Sequence, residues 1–164
     1  MLDDVLRLTD SSLIRHEVKL VKEFDPRLPD INVDRHKVLQ ILINLVRNAK
    51  HACLDAPRLD KELTLRATVS EGSLRISVID NGIGIPAENL TRIFAHGFTT
   101  RKDGHGFGLH SSALAAKEIG GKLLVHSDGP GKGAIFTLEL ALSPEKGHYI
   151  PIIPASSPAV SVAA

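Results

Sequence analysis

Asn44 and Asn48 stand four residues apart, and they are followed by Asp80-Asn81-Gly82-Ile83-Gly84 and then by Gly104-His105-Gly106-Phe107-Gly108. On a helix that first spacing puts both amides on one face, where an asparagine carbonyl offers a hard cation a neutral oxygen. Asp80 closes the apolar run that begins at Leu74. An ionised carboxylate there accepts from the exocyclic amine of adenine, whereas guanine would face it with another acceptor. Gly82 and Gly84 allow backbone to come close to a flat base. Gly104, Gly106 and Gly108 lead into a helix expected from Leu109, whose unpaired N–H groups and dipole attract phosphate. Each piece alone also fits something plainer: a solvated helix face, a turn after a strand, a glycine-assisted helix start. A metal, a base and phosphates in one chain are what ATP–Mg²⁺ presents.

Other nucleotide motifs fail on spacing. Leu109 stands where a dinucleotide-binding G-x-G-x-x-G needs its third glycine, and Gly131-Lys132 lacks both the earlier glycine and the following Ser/Thr of a P-loop. A formal net charge of +1 leaves no electrostatic footprint for nucleic acid or an anionic membrane. No apolar run approaches the ~20 residues needed to span a bilayer. Met1 leads directly into Leu-Asp-Asp-Val-Leu, an amphipathic start without the pattern of a signal peptide. Cys53 has no partner for an internal disulfide, and its helical apolar setting implies inert packing.

The elements that position these residues follow from periodicity and punctuation. Residues 2–12 read as a helix and 14–24 as a strand, because charged and apolar side chains alternate from Glu17 onward. Asp34 is an N-cap for a long helix ending before Pro57, with Val38, Leu39, Ile41, Leu42, Leu45, Val46 and Ala49 on its apolar face. Strands near 62–70 and 73–79 share a tight turn at Glu71-Gly72. Pro86 suits the first turn of a short helix running to about Phe94. Residues 95–106 are irregular, Leu109 to Ile119 is a helix closed by Gly120-Gly121, and strands near 122–127 and 134–141 flank a glycine-rich connection. This order argues an α/β (α+β) two-layer sandwich, with helices on one face of a mixed, mostly antiparallel sheet. One domain covers residues 1–142, and 143–164 has the Pro/Ala/Ser composition of a linker.

Asn44-x-x-x-Asn48-Ala49, Asp80-x-Gly82-x-Gly84, Phe94-x-x-x-Phe98, Gly104-x-Gly106-x-Gly108-Leu109 and Gly131-x-Gly133-x-x-Phe136 resemble, in order, five sequence boxes of sensor histidine kinases. These boxes belong to the ATP-binding domain of the Bergerat (GHKL) fold, and the resemblance covers about residues 14–141. Ile93-Phe94-x-x-x-Phe98-Thr99-Thr100 is most similar to the nitrogen-regulation branch.

The resemblance implies that Asn48 ligates Mg²⁺, that Asn44 and His51 lie beside the phosphates, and that Asp80 holds the adenine amine with Gly82, Gly84, Ile85 and Ala134 around the base. Gly104, His105, Gly106, Phe107, Gly108 and Leu109 would shape the phosphate end. Residues 95–106 would form a lid anchored by Phe94 and Phe98, with Thr99 and Thr100, and Arg101 or Lys102 would reach the γ-phosphate. Three positions depart from the pattern: His51 replaces a common Lys or Arg, Ala52 a common aromatic, and Ala134 the usual threonine. Hydrolytic relatives use a glutamate four residues before the magnesium asparagine to activate water, and here Asn44 stands there. His16-Glu17 imitates the phosphoacceptor motif but is assigned to the strand and lacks the following Pro or Asn.

The implied activity is transfer of the γ-phosphate of ATP to a histidine on a separate phosphoacceptor and dimerisation domain, with a response-regulator receiver domain downstream. The implied location is cytoplasmic, with no nucleic-acid or membrane contact by this domain. The alternatives are a GHKL protein-serine kinase of the anti-sigma type and a nucleotide-binding module without transfer activity.

Overall fold

The computed structural model describes residues 1–100 and 106–142. Expectations for Arg101, Lys102, Gly104, His105 and the segment 143–164 lie outside the described residues. The elements run α1 (Leu2–Arg15), β1 (Lys19–Phe24), α2 (Arg35–Asp55), β2 (Glu62–Ser70), β3 (Ser73–Asp80), α3 (Ala87–Leu90), α4 (Gly108–Glu118), β4 (Lys122–His126) and β5 (Ala134–Ala141). The sheet has the order β1-β2-β3-β5-β4. Its β1–β2 pair is parallel and the other three pairs are antiparallel. The expected sandwich is the one found.

Alternation along the strands decides which side chains face the helices. In β3, Leu74, Ile76, Val78 and Asp80 are buried while the intervening residues are half-buried. In β5, Ala134, Phe136, Leu138 and Leu140 share the inward phase. Against them α2 lays Val38, Ile41, Leu42, Leu45, Val46, Ala49 and Cys53, all buried. Asp34 starts α2 as expected, its carboxylate accepting from the N–H groups of His36 and Lys37 at 2.9 and 3.2 Å. The β2–β3 hairpin closes through Glu71 (φ 51) and Gly72 (φ 72), so two left-handed residues link Ser70 to its partner Ser73. On the outward side of the sheet Glu139 is held between Arg75 at 2.7 Å and Lys122 at 2.9 Å.

Two elements depart from the sequence reading. The strand expected from residue 14 begins at Lys19, and α1 runs on through Ile14 and Arg15. Glu17 takes a left-handed φ of 56°, and the Val18 N–H bonds the Leu13 carbonyl at 3.0 Å, so the chain turns before it extends. His16 is therefore the residue that ends a helix, its Nδ1 2.8 Å from the Ser12 carbonyl, and not part of a strand. The helix expected from Pro86 to Phe94 is a single turn, Ala87–Leu90, with Pro86 preceding it. Beyond it three-residue bonds carry the chain, Arg92 N–H to Asn89 and Ala95 N–H to Arg92, which is turn geometry.

The connection between β4 and β5 supports the segment after β3. Gly133 (φ 69) donates to the Gly82 carbonyl at 3.2 Å, Gly131 (φ 76) donates to the Ile83 carbonyl at 2.6 Å, and a Cβ on Gly133 would collide with the Asp80 carbonyl. Around Gly131 there is open space. Gly131→Ala should therefore cost only the left-handed strain, ~1 kcal/mol, whereas Gly133→Ala adds a backbone collision and should cost ~3 kcal/mol. Urea unfolding of the two variants checks the difference, and equal losses would remove the collision as its cause.

Candidate functional site

The cleft lies between α2, the segment after β3, and the start of α4, with a volume of about 500 Å³. Its α2 wall is one helical stripe: Asn44, Arg47, Asn48, His51, Ala52 and Asp55. At a rise of 1.5 Å per residue, Asn44 and Ala52 are separated by about 12 Å along the axis.

Asp80 closes one end. Its place in the inward phase of β3 puts it among apolar neighbours at 5% exposure. Burial pushes its carboxyl up to about 6, and hydrogen bonding from the N–H groups of Gly82 and Ala134 only partly opposes that. The Gly82 N–H lies 2.9 Å from its Oδ1. The neighbouring Asn81 is clamped to the β2 side: its amide donates to the Asp60 carbonyl at 2.7 Å and accepts from the Glu62 N–H at 2.9 Å. Arg58 donates to its backbone carbonyl at 2.8 Å. Behind Asp80, burial and then the charge of Asp80 push the Cys53 thiol up to about 11, which suits packing and not reactivity.

The glycines of this segment owe their type to backbone packing. A Cβ on Gly82 would run into the Ala52 backbone, whose carbonyl takes the Ile83 N–H at 3.1 Å. One on Gly84 (φ 71) would run into the Gly129 carbonyl. Gly82 accordingly does not line the cleft, whereas Gly84, Ile85 and Ala134 do. Ser127, which the sequence reading missed, ties the loops together by donating to the Gly133 carbonyl at 2.6 Å and accepting from the Ile85 N–H at 3.0 Å.

The other end is the start of α4. Phe107 precedes the helix without a side-chain cap bond, and a helix start of this kind offers N–H groups to an anion. Asn44 faces this point: its amide donates to Ser112 Oγ at 2.8 Å, and a Cβ on Gly108 would come within 2.7 Å of its Oδ1. Asn48 lines the cleft one turn along, and its amide makes no hydrogen bond among the described residues. His51, Thr99, Thr100, Gly106, Phe107, Gly108 and Leu109 also reach the cleft wall. Gly106 (φ 70) lies backbone to backbone against Gly97.

The two phenylalanines expected to act together separate. Phe98 lines the cleft, with the Arg92 guanidinium 5.4 Å from its ring centre. Phe94 is in the core instead, edge-on to Phe136 at 6.4 Å, and Phe136 is the ring that reaches the cleft. The Phe94 carbonyl lies 3.0 Å from Nδ1 of His110 on α4. Arg47, Asp55, Ile83, Pro86, Asn89 and Ile93 also line the cleft without having been singled out. For Arg47 and Asp55 the signal was available, since both continue the stripe of Asn44 and Asn48. Among the described residues no group of three or more His, Cys, Asp or Glu could hold a metal, and no helix is long and apolar enough to cross a membrane.

A family model described as "Histidine kinase-, DNA gyrase B-, and HSP90-like ATPase" matches residues 33–144. The sensory histidine kinase/phosphatase NtrB of Rhizobium leguminosarum bv. phaseoli is 36% identical over 73% of this chain and 33% of its own length. The C4-dicarboxylate transport sensor protein DctS of Rhodobacter capsulatus is 31% identical over 90% of this chain and 22% of its own length. The chain thus spans about a fifth to a third of these relatives. Among solved structures, the catalytic domain of the histidine kinase ThkA superposes with a TM-score of 0.73 at 26% identity, covering 85% of this chain and 90% of that one. ThkA has also been solved in complex with the response regulator protein TrrA.

Burial of Asp80 has a measurable consequence. Its folded-state carboxyl is pushed up from the ordinary value of 3.8 to about 6, so the protonated form favours folding: this contribution is complete below pH 4 and is lost as pH rises through 6. Asp80→Asn removes the titration. Urea midpoints should show the variant gaining on the parent chain as pH rises from 4 to 7.5, by up to ~3 kcal/mol, and parallel pH profiles would contradict the assignment.

Proposed function

Because the chain belongs to the histidine kinase-, DNA gyrase B- and HSP90-like ATPase family, we propose that its cleft binds ATP with Mg²⁺ and presents the γ-phosphate to a histidine on a separate phosphoacceptor domain. The observation that carries this reading is the polarity of the cleft. A buried carboxylate, Asp80, stands at one end, and neutral amides with an uncapped helix N-terminus stand at the other. The ATP-binding domain that this family describes supplies the nucleotide; its orientation follows from the chain's own groups.

Asp80, ionised, accepts from the adenine amine, and Ile85, Ala134 and Phe136 offer apolar surface around it. The triphosphate then runs along α2 toward Gly108. There the first N–H groups of α4 receive it, and the Asn44–Ser112 bond keeps Asn44 in place. Asn48 suits a metal that arrives with the nucleotide: its amide is unpartnered among the described residues, neutral and one turn from Asn44, and phosphate oxygens and water would complete the shell. When bound, Mg²⁺ would neutralise phosphate charge.

The same groups explain why transfer is favoured over hydrolysis. Water needs a base to take its proton, and the amide of Asn44 cannot serve as one. The carboxylates among the described lining residues are Asp80, at the base end, and Asp55, a further turn along α2. The site's contribution is thus positioning and charge compensation, which suffices for a nucleophile that brings its own activation. NtrB is a sensory histidine kinase/phosphatase, ThkA a histidine kinase and DctS a sensor protein, and none of them favours the serine-kinase alternative. The downstream partner is a response-regulator receiver domain, the kind of partner named in the ThkA–TrrA complex.

Asn48→Ala should leave the melting temperature unchanged, because the apolar face of α2 is untouched, while abolishing the Mg²⁺-dependent part of ATP affinity in calorimetry. Wild-type Mg²⁺ dependence in a folded variant would remove Asn48 as ligand. With radiolabelled ATP the chain alone should neither label itself nor hydrolyse ATP fast. A helical phosphoacceptor domain from a sensor kinase that includes this domain should become labelled in trans, weakly for want of a covalent link. That label should be acid-labile and base-stable, as a phosphoramidate is. Acid-stable label on serine would overturn the histidine-kinase reading.

A further inference from the structure

Arg47 lies on the cleft-facing stripe of α2, between Asn44 and Asn48. It is the only lysine or arginine among the described residues that line the cleft. Arg35, Arg58, Arg66 and Arg75 are each paired with a carboxylate, but the Arg47 guanidinium makes no ion pair or hydrogen bond among the described residues. Its side chain is exposed, so nothing in the packing of α2 calls for it.

The charge of the cleft gives that cation a task. Its two lining carboxylates among the described residues, Asp55 and Asp80, have the same sign as a triphosphate and stand toward the base end. Asp55 is about 12 Å along the helix axis from Arg47, at eight residues of 1.5 Å each. The other described polar side chains at the phosphate end are amides, hydroxyls and histidine, beside the apolar Phe107 and Leu109. Among the described residues, a polyanion there would otherwise meet only dipoles, hydrogen-bond donors and apolar surface. The guanidinium is a planar fork of donors that matches phosphate oxygens two at a time, and it keeps its charge at any working pH.

We infer that Arg47 is a phosphate-binding residue of this cleft, donating to the terminal phosphates of the nucleotide from the α2 wall while the N–H groups of α4 contact them from the other side. The inference rests on the reading of the cleft as an ATP site and adds a residue to it. It also gives the site a cation within its rigid wall, on an element held by seven buried apolar residues.

The test titrates the chain, Arg47→Gln and Arg47→Lys with the non-hydrolysable analogue AMP-PNP plus Mg²⁺, and separately with adenosine, followed by NMR shifts where binding is weak. The glutamine variant should melt like the parent chain, bind AMP-PNP at least tenfold more weakly and bind adenosine unchanged, and the lysine variant should recover part of the loss. Unchanged AMP-PNP affinity in Arg47→Gln would overturn the assignment, as would an equal loss for adenosine. A parent chain that binds neither ligand would overturn the ATP reading itself, so the two failures are distinguishable.

Discussion

A carboxylate at the end of a buried strand phase is the constraint around which this domain is arranged. Asp80 continues the inward register of Leu74, Ile76 and Val78 and is nearly as hidden as they are. A buried charge requires partners, and the backbone around it is shaped to supply some. The Gly82 N–H folds back onto the carboxylate, and Asn81 is fixed by Asp60, Glu62 and Arg58. The β4–β5 connection closes against the same segment through Gly131 and Gly133. Those bonds compensate the carboxylate only in part, which is why its affinity for a proton stays raised. The remaining acceptor capacity is what a base amine would use under the proposed function, so the feature that weakens the fold would be the one that selects the ligand.

The long helix supplies the complementary half. One side of α2 forms the core and another side forms the cleft wall, so packing and binding are carried by the same rigid element. Neutral amides near its middle suit a triphosphate, because added carboxylates there would repel it. The hydrogen bond from Asn44 to Ser112 ties α2 to α4 at the end of the cleft where α4 begins. Under the proposed function, rigidity of this kind would suit transfer chemistry, where the acceptor brings the nucleophile and the site needs only to hold the donor still.

Several expectations were legible because they depend on neighbours in the chain. The α2 cap at Asp34, the hairpin at Glu71-Gly72 and the helix stop at Gly120-Gly121 follow from local chemistry, and all three are found. The strand expected from residue 14 failed for a related reason. The alternation beginning at Glu17 was real, but the left-handed Glu17 that separates helix from strand leaves no periodic trace. The short helix after Pro86 was overextended because a turn of three-residue bonds and a helix share the same local signals.

By itself, the sequence determined the order of the boxes, the face shared by Asn44 and Asn48, and the acidic residue ending an apolar strand. These are matters of spacing along one element, where helix and strand periods fix direction. Only the tertiary structure decided that Phe136 and not Phe94 reaches the cleft, and that Gly84 is glycine because of the Gly129 carbonyl. It alone placed Arg47 in the cleft wall with no ion pair among the described residues. Each of these depends on which distant segment lies across the gap, and no local period encodes the atoms on the far side of a contact.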